Sequence, residues 1–255
     1  MTNSGLSSIG RPGGDAATNA QDQAMEESFA QTVWQMLRDD IISGKLAPRT
    51  RLRIAKLRSM YGVGASPLRE ALSRLVADKF VISLDRRGFV VAPMSLADFR
   101  DLTDARKLLE KEILRLSLRH GDDAWESEVL AAYHRLSKAQ QRLKRDLDSG
   151  VKNWEAMNAE FHEALVAACP SSWLLNFRRI VYDYTERYRR ICLSIRTVSR
   201  DVQAEHRKLC DAALARDVEL TLSLIDDHLE RTFRKVESSG KLALHSASTA
   251  GARRA

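Results

Sequence analysis

At 255 residues with 44% hydrophobic side chains, the chain suits two modest domains, each able to bury a core without disulfide staples. No run is long and apolar enough to span a bilayer and no charged-then-apolar leader opens the chain, so membrane and export classes are set aside and a cytoplasmic protein is expected. The net charge of +7 is uneven: residues 28–92 carry 12 Lys/Arg against 5 Asp/Glu, while the remainder carries 29 of each, which suits one end only to phosphates.

Residues 1–24 are small and polar and predict a disordered tail. Ala30, Val33, Trp34, Leu37 and Ile41 then repeat at helical spacing, predicting a helix over 26–43 stopped by Gly44. After the turn at Pro48, residues 54–60 form a short helix closed by Gly62. A second helix follows at once, with Ser66 as N-cap, Pro67 as first helical residue and Leu68, Ala71, Leu72 and Leu75 as its apolar stripe. Arg69 and Arg74 occupy the opposite face, the layout of a helix that packs by one side and offers cations with the other.

Two β-prone runs, 80–84 and 89–91, flank Asp85-Arg86-Arg87-Gly88 and predict a hairpin with a basic tip. Helix, helix, basic helix and hairpin make a winged helix-turn-helix over 25–92. Pro93 marks the boundary. Beyond it, helices are predicted from the Ser95 N-cap to His120, then over 124–147, 154–169, 172–198, 200–215 and 218–236, with breaks at Gly121, Ser149-Gly150 and Pro170. The fold class is mainly α, with an antiparallel helical bundle over 93–237 and a second disordered tail over 238–255. Cys169, Cys192 and Cys210 lie in apolar helical stretches and read as buried hydrophobes in a reducing compartment.

Within the bundle, Asn158 and His162 share one face of a helix, and His206 and His228 face inward from two others. A single inward histidine is ordinarily a satisfied core residue. Three that converge make a first-row metal site, because neutral imidazole is a strong ligand for such ions.

The segment Ile42-x-Gly44-x-Leu46-x-Pro48, Leu52, Gly62-Val63, Ser66-Pro67-Leu68-Arg69-Glu70-Ala71-Leu72-x-x-Leu75 and Arg87-Gly88-Phe89-Val90-Val91 resembles the DNA-binding domain of GntR-type bacterial transcription regulators. The resemblance implies DNA contacts from Lys56, Ser66, Arg69, Arg74, Arg86, Arg87 and Gly88. The sequence departs from the family pattern at Arg49, where a glycine is usual, at Gly64, where serine is common, and at Ala65, where an arginine often reads a base. The loss at Ala65 removes about 1–3 kcal/mol of base discrimination.

The second half is similar to the all-helical FCD effector domain of the FadR-type subfamily. Asn158-Ala159-Glu160-Phe161-His162, Glu205-His206 and His228 match its metal pattern, with Asn158 replacing the commoner aspartate. The resemblance implies a divalent transition metal at Asn158, His162, His206 and His228, zinc ahead of nickel, iron or manganese, with weakened affinity because an amide is a poorer ligand than a carboxylate. Arg106 and Glu110 match the domain's Arg-x-x-x-Glu, whose arginine holds the carboxylate of a small-acid effector; the plain reading is an exposed pair at helical spacing. The expected partners are a pseudo-palindromic double-stranded DNA operator, a small carboxylate and a second copy of the chain, in a ligand-responsive repressor. The alternatives are the same regulator with a metal-free pocket, or a metal-dependent hydrolase. Against the latter, His162-Glu163 has Val166 where HExxH needs its second histidine, and no nucleophile elbow or P-loop is present.

Overall fold

The computed structural model describes residues 15–85, 87–145, 147–193, 201–240 and 242. The chain forms two compact units, 1–92 and 93–255.

In the first unit, helix α1 (Asp15–Ile42) is followed by strand β1 (Arg51–Leu52), helices α2 (Ile54–Tyr61) and α3 (Ala65–Ala77), and strands β2 (Val81–Leu84) and β3 (Gly88–Val91). The three strands form an antiparallel sheet in the order β1-β3-β2, with Val81 opposite Val91, Leu84 opposite Gly88 and Leu52 opposite Phe89. The core gathers Val33, Leu37 and Ile41 of α1, Leu57 of α2, Leu68, Leu72 and Leu75 of α3, and Phe80 and Val91 of the hairpin. Each helix therefore buries the stripe that its periodicity marks.

Two expectations are corrected here, and two features are added. Helix α1 starts at Asp15, so residues 15–24 are helical and not tail: Ala-Ala-Thr-Asn-Ala-Gln-Asp-Gln-Ala is rich in helix formers and extends a helix already anchored from residue 29 on. Residues 1–14 lie outside the described residues. Helix α3 begins at Ala65 with Gly64 as N-cap and no side-chain cap, which puts Ser66 and Pro67 inside the first turn, where a missing N–H costs no helical bond. The pairing of β1 with β3 adds a third strand to the wing that two residues are too short to announce. At Arg49 the backbone has φ of +65°, the left-handed region, and its N–H donates to the Val91 carbonyl at 2.9 Å. The glycine usual in the resembling family is thus explained by conformation, and this chain bears strain there.

The second unit is six helices: α4 (Leu96–His120), α5 (Asp123–Arg145), α6 (Leu147–Val166), α7 (Ser172–Leu193), α8 (Val202–Leu214) and α9 (Val218–Ser238). Ser95, Asp201 and Asp217 cap α4, α8 and α9, each accepting from the backbone N–H three residues on. Helix α4 packs on α7 and α9, α5 on α6 and α8, and α8 on α9, around Ile113, Val129, Leu136, Phe161, Leu165, Leu209 and Ile225. A second cluster joins Phe99, stacked 4.4 Å from Tyr188, to Phe233, Val236 and Leu242. Leu242 is thus buried although it falls in the expected tail; residue 241 and residues 243–255 lie outside the described residues, as does the expected end of α7 beyond Leu193. Cys169 and Cys210 are buried free thiols.

The break expected at Ser149-Gly150 is absent, since α6 runs through it. A β-carbon on Gly150 would stand 2.8 Å from the Leu143 Cα, so this glycine permits a close approach to α5 and does not stop a helix. Gly121 likewise serves by lacking a side chain: its backbone is extended, and a β-carbon would meet the Trp125 ring at 2.6 Å. Among the described residues, no helix is long and apolar enough to cross a membrane.

Candidate nucleic-acid interface and metal centre

In the first unit Lys56, Ser66, Arg69, Arg87 and Gly88 are exposed. Gly88 has φ of +89°, which lets the hairpin turn tightly behind its tip. Arg51, Arg53, Arg69 and Arg87 surround one hollow between β1, α3 and the wing. Arg51 and Arg53 escaped the sequence reading, although the alternation Arg51-Leu52-Arg53, with leucine buried and arginines exposed, carries the two-residue period of a strand. Arg74 differs from expectation: one terminal nitrogen donates to Gln31 at 2.9 Å and the other to Glu70 at 2.7 Å, which ties it to α1 and its own helix. Arg86 lies outside the described residues. Four outward guanidiniums on a helix-turn-helix and its wing suit phosphate oxygens and base edges.

In the second unit, α6, α8 and α9 bring His162, His206 and His228 together with their candidate ligand atoms all within 4.8 Å of one another. Ring centroids are 5.3 Å apart for His162 and His206, 5.2 Å for His162 and His228, and 4.9 Å for His206 and His228. Asn158, buried one turn before His162, turns its amide nitrogen to the Tyr182 hydroxyl at 3.5 Å. Burial, reinforced by His228, His206, Arg106 and Arg178, holds the His162 pKa well below its ordinary value, so the ring stays neutral with a lone pair to give. His228 Nδ1 lies 2.9 Å from the Glu205 carboxylate, which fixes the proton on Nδ1 and leaves Nε2 as the ligand atom. Three imidazoles at this separation, His162 held neutral and His228 oriented by a carboxylate, fit a divalent transition metal. Glu205 was visible only as the neighbour of His206; its orienting role needed the fold.

Arg106 and Glu110 are not the exposed pair of the plain reading: they are 6% and 1% exposed. Arg106 Nε donates to Glu110 at 3.1 Å and Nη1 donates to Thr185 at 2.9 Å. The other Glu110 oxygen accepts from Arg178 Nε at 3.0 Å, and Arg178 also donates to the His162 carbonyl at 2.9 Å. Burial pushes the Glu110 pKa up, but the two guanidiniums overcome it and hold the carboxyl below its ordinary range. Tyr182 lies beneath Arg106, 4.5 Å from guanidinium carbon to ring centre, and burial raises its pKa to about 12. Arg178, Tyr182, Thr185 and Arg189 were overlooked, though their spacing of four, three and four residues marks a polar stripe on α7.

Residues 29–91 match the model for bacterial regulatory proteins of the gntR family, and residues 101–231 match the FCD domain. The chain is 44% identical over 215 residues to the HTH-type transcriptional regulator BphR of Paraburkholderia xenovorans (strain LB400), covering 84% of this chain and 88% of that one. It is 38% identical over 202 residues to the HTH-type transcriptional repressor GlaR of Escherichia coli (strain K12), covering 77% and 90%. Among solved structures, Escherichia coli McbR/YncC superposes with a TM-score of 0.68 at 17% identity, over 83% of this chain and 98% of that one, a likeness of fold.

Proposed function

Because the chain belongs to the gntR family of bacterial regulatory proteins and carries an FCD domain, we propose that this DNA-binding transcriptional regulator is a repressor sensing a small carboxylic acid through a metal. The observation that carries the sensing half is the convergence of His162, His206 and His228 from three helices. These residues, with the Asn158 carbonyl, would hold the ion, with zinc the leading candidate ahead of nickel, iron and manganese. Bound there, the metal supplies Lewis-acid positions that a carboxylate can fill. Arg106, held from behind by Glu110 and Thr185, keeps a guanidinium edge for the same acid.

In the first unit, Arg51, Arg53, Arg69, Arg87 and Lys56 supply the cations, Ser66 and the Gly88 backbone add polar contacts, and Arg74 braces α3 rather than touching DNA. Arg86 extends the basic wing in sequence. A homodimer would place two recognition helices on a pseudo-palindromic operator. Support for pairing comes from α7, where Trp173, Phe177 and Ile180 are 70%, 48% and 42% exposed at helical spacing, a stripe suited to a two-fold contact. As a regulator of bacterial genes it would act in the cytoplasm.

The acid must bind the two arrangements of the helical unit with different affinity for DNA binding to respond. Electrophoretic mobility shift of a duplex flanking the protein's own gene, at moderate salt, tests this. Specific retardation, relieved by candidate acids and made unresponsive to them by chelation, is expected. Absence of specific retardation refutes the regulator's operator; an acid response that survives chelation refutes the metal.

A further inference from the structure

We infer that Arg189, together with Arg106, forms a second anion-binding edge beside the histidine cluster, so that the effector carries two acidic groups; this rests on the proposed acid-sensing role of the helical unit. Arg189 lies on α7 one turn after Thr185, the residue that Arg106 grips. Its Nε donates to one Glu186 oxygen at 2.8 Å and its Nη2 bonds the other, while Nη1 is buried with no hydrogen-bond partner. Arg106 is built alike, with Glu110 behind its Nε. Each guanidinium is therefore fixed from one side by a carboxylate and turned towards the same place.

That place is a small cavity lined by Phe99, Thr103, Arg106, Thr185, Arg189, Leu229 and Thr232. The hydroxyls of Thr103, Thr185 and Thr232 each donate to a backbone carbonyl, so the donors left to a ligand are those of the two guanidiniums, set against an apolar wall, and their natural occupant is an anion. Its volume is about 20 Å³, room for one water, so a carboxylate enters by displacing Leu229 and Thr232 of α9. Thr232 of the cavity lies one turn after His228 on α9, its hydroxyl donating to the His228 carbonyl at 3.0 Å, so one helix carries residues of both the cavity and the histidine cluster. One ligand can span both, with one acidic group at the histidines and the other at Arg189.

The neighbouring charges are each accounted for: Arg106 and Arg178 share Glu110, Arg178 also pairs with Glu163, and Arg189 pairs with Glu186, while Glu155 accepts from Arg190 and burial pushes its pKa up. The competing role for Arg189 is a staple from α7 to Glu155 on α6. Their charges interact, but no hydrogen bond joins them: Glu155 Oε1 and Arg189 Nη1 are each buried without a hydrogen-bond partner.

The test is isothermal titration calorimetry of the full-length, zinc-loaded protein with linear dicarboxylates of four to six carbons and monocarboxylates of equal length. Wild type is expected to bind the best dicarboxylate at least roughly tenfold more tightly than its monocarboxylate, the effect of one charge-assisted contact. The double variant Arg189→Gln/Glu186→Gln, which leaves no buried charge unpaired between the two, should lose that preference and keep monocarboxylate affinity. Should it not fold by circular dichroism, Arg189→Lys, which keeps the charge but not the planar edge, should lower the preference instead. Equal affinity for both acid classes in wild type, or a preference unchanged in the variants, overturns the inference while leaving acid sensing intact. Binding of zinc with binding of no acid overturns both.

Discussion

In the winged unit Arg51, Arg53, Arg69 and Arg87 stand exposed around one hollow, whereas in the helical unit Arg106 and Arg178 are sealed in and converge on Glu110. The same side chain serves opposite ends. Exposed guanidiniums stay solvated until an external polyanion displaces their counterions, which makes contact strong, salt-dependent and reversible. A buried guanidinium must be neutralised within the fold, and each internal partner leaves fewer N–H groups for a ligand, so what remains is few, fixed and selective. One unit is thus built for a long uniform surface and the other for a small molecule of defined shape.

Removing the internal counter-charge should break the helical half most severely. Glu110→Ala leaves Arg106 without its carboxylate in a closed interior and Arg178 with Glu163 alone, and a loss of about 3–5 kcal/mol is expected in urea unfolding of the helical unit. Acid probes the same pairing. Glu110 and Glu186 are buried, which raises their pKa values, yet neighbouring arginines bring both below the ordinary 4.5. A depressed carboxyl stabilises the fold above its unfolded value and loses that contribution as pH falls through the folded value. A histidine held below its ordinary value acts with the same sign, so unfolding free energy should begin to fall as pH drops below about 6.5, where His162 takes up a proton only when unfolded, and fall further below about pH 4.5. Glu110→Gln should flatten the lower drop.

In the winged half the effects fall on DNA, not on folding. Arg69→Ala is expected to cost about 1–3 kcal/mol of operator affinity per recognition helix, with thermal stability unchanged. Arg87→Ala should weaken binding evenly across sequences and reduce the salt slope by about one per protomer, read by fluorescence anisotropy over a salt series. The smallest effect sharpens the contrast from the backbone. Arg49→Gly should relieve the positive φ and stabilise the winged unit by up to about 1 kcal/mol in thermal unfolding, at the cost of one cation.

How far the sequence announced these features depends on range. The apolar stripes of α1, α3 and α9, the Gly62 stop and the three inward histidines follow from spacing of three or four residues, which a helix turns directly into a face. The pairing of Glu110 with Arg178 spans 68 positions and carries no periodic mark, so Arg178 and Arg189 could be seen only as an unexplained polar stripe on α7. Gly150 misled because glycine has two uses, freedom of φ and absence of a side chain, and only packing against Leu143 distinguishes them. The alternation Arg51-Leu52-Arg53 covers a single period, too short to announce β1 without its partner β3. Asn158 was placed correctly one turn before His162, but its contact with Tyr182 depends on how α6 meets α7.

The most direct test of the sensing centre is the metal content, by elemental analysis, of protein purified without a His-tag or chelator. One transition-metal ion per chain is predicted for wild type, falling to near zero in His162→Ala and His206→Ala variants that remain folded. Wild-type protein that contains none and takes none up from equimolar zinc, or variants that retain the ion in full, would contradict it.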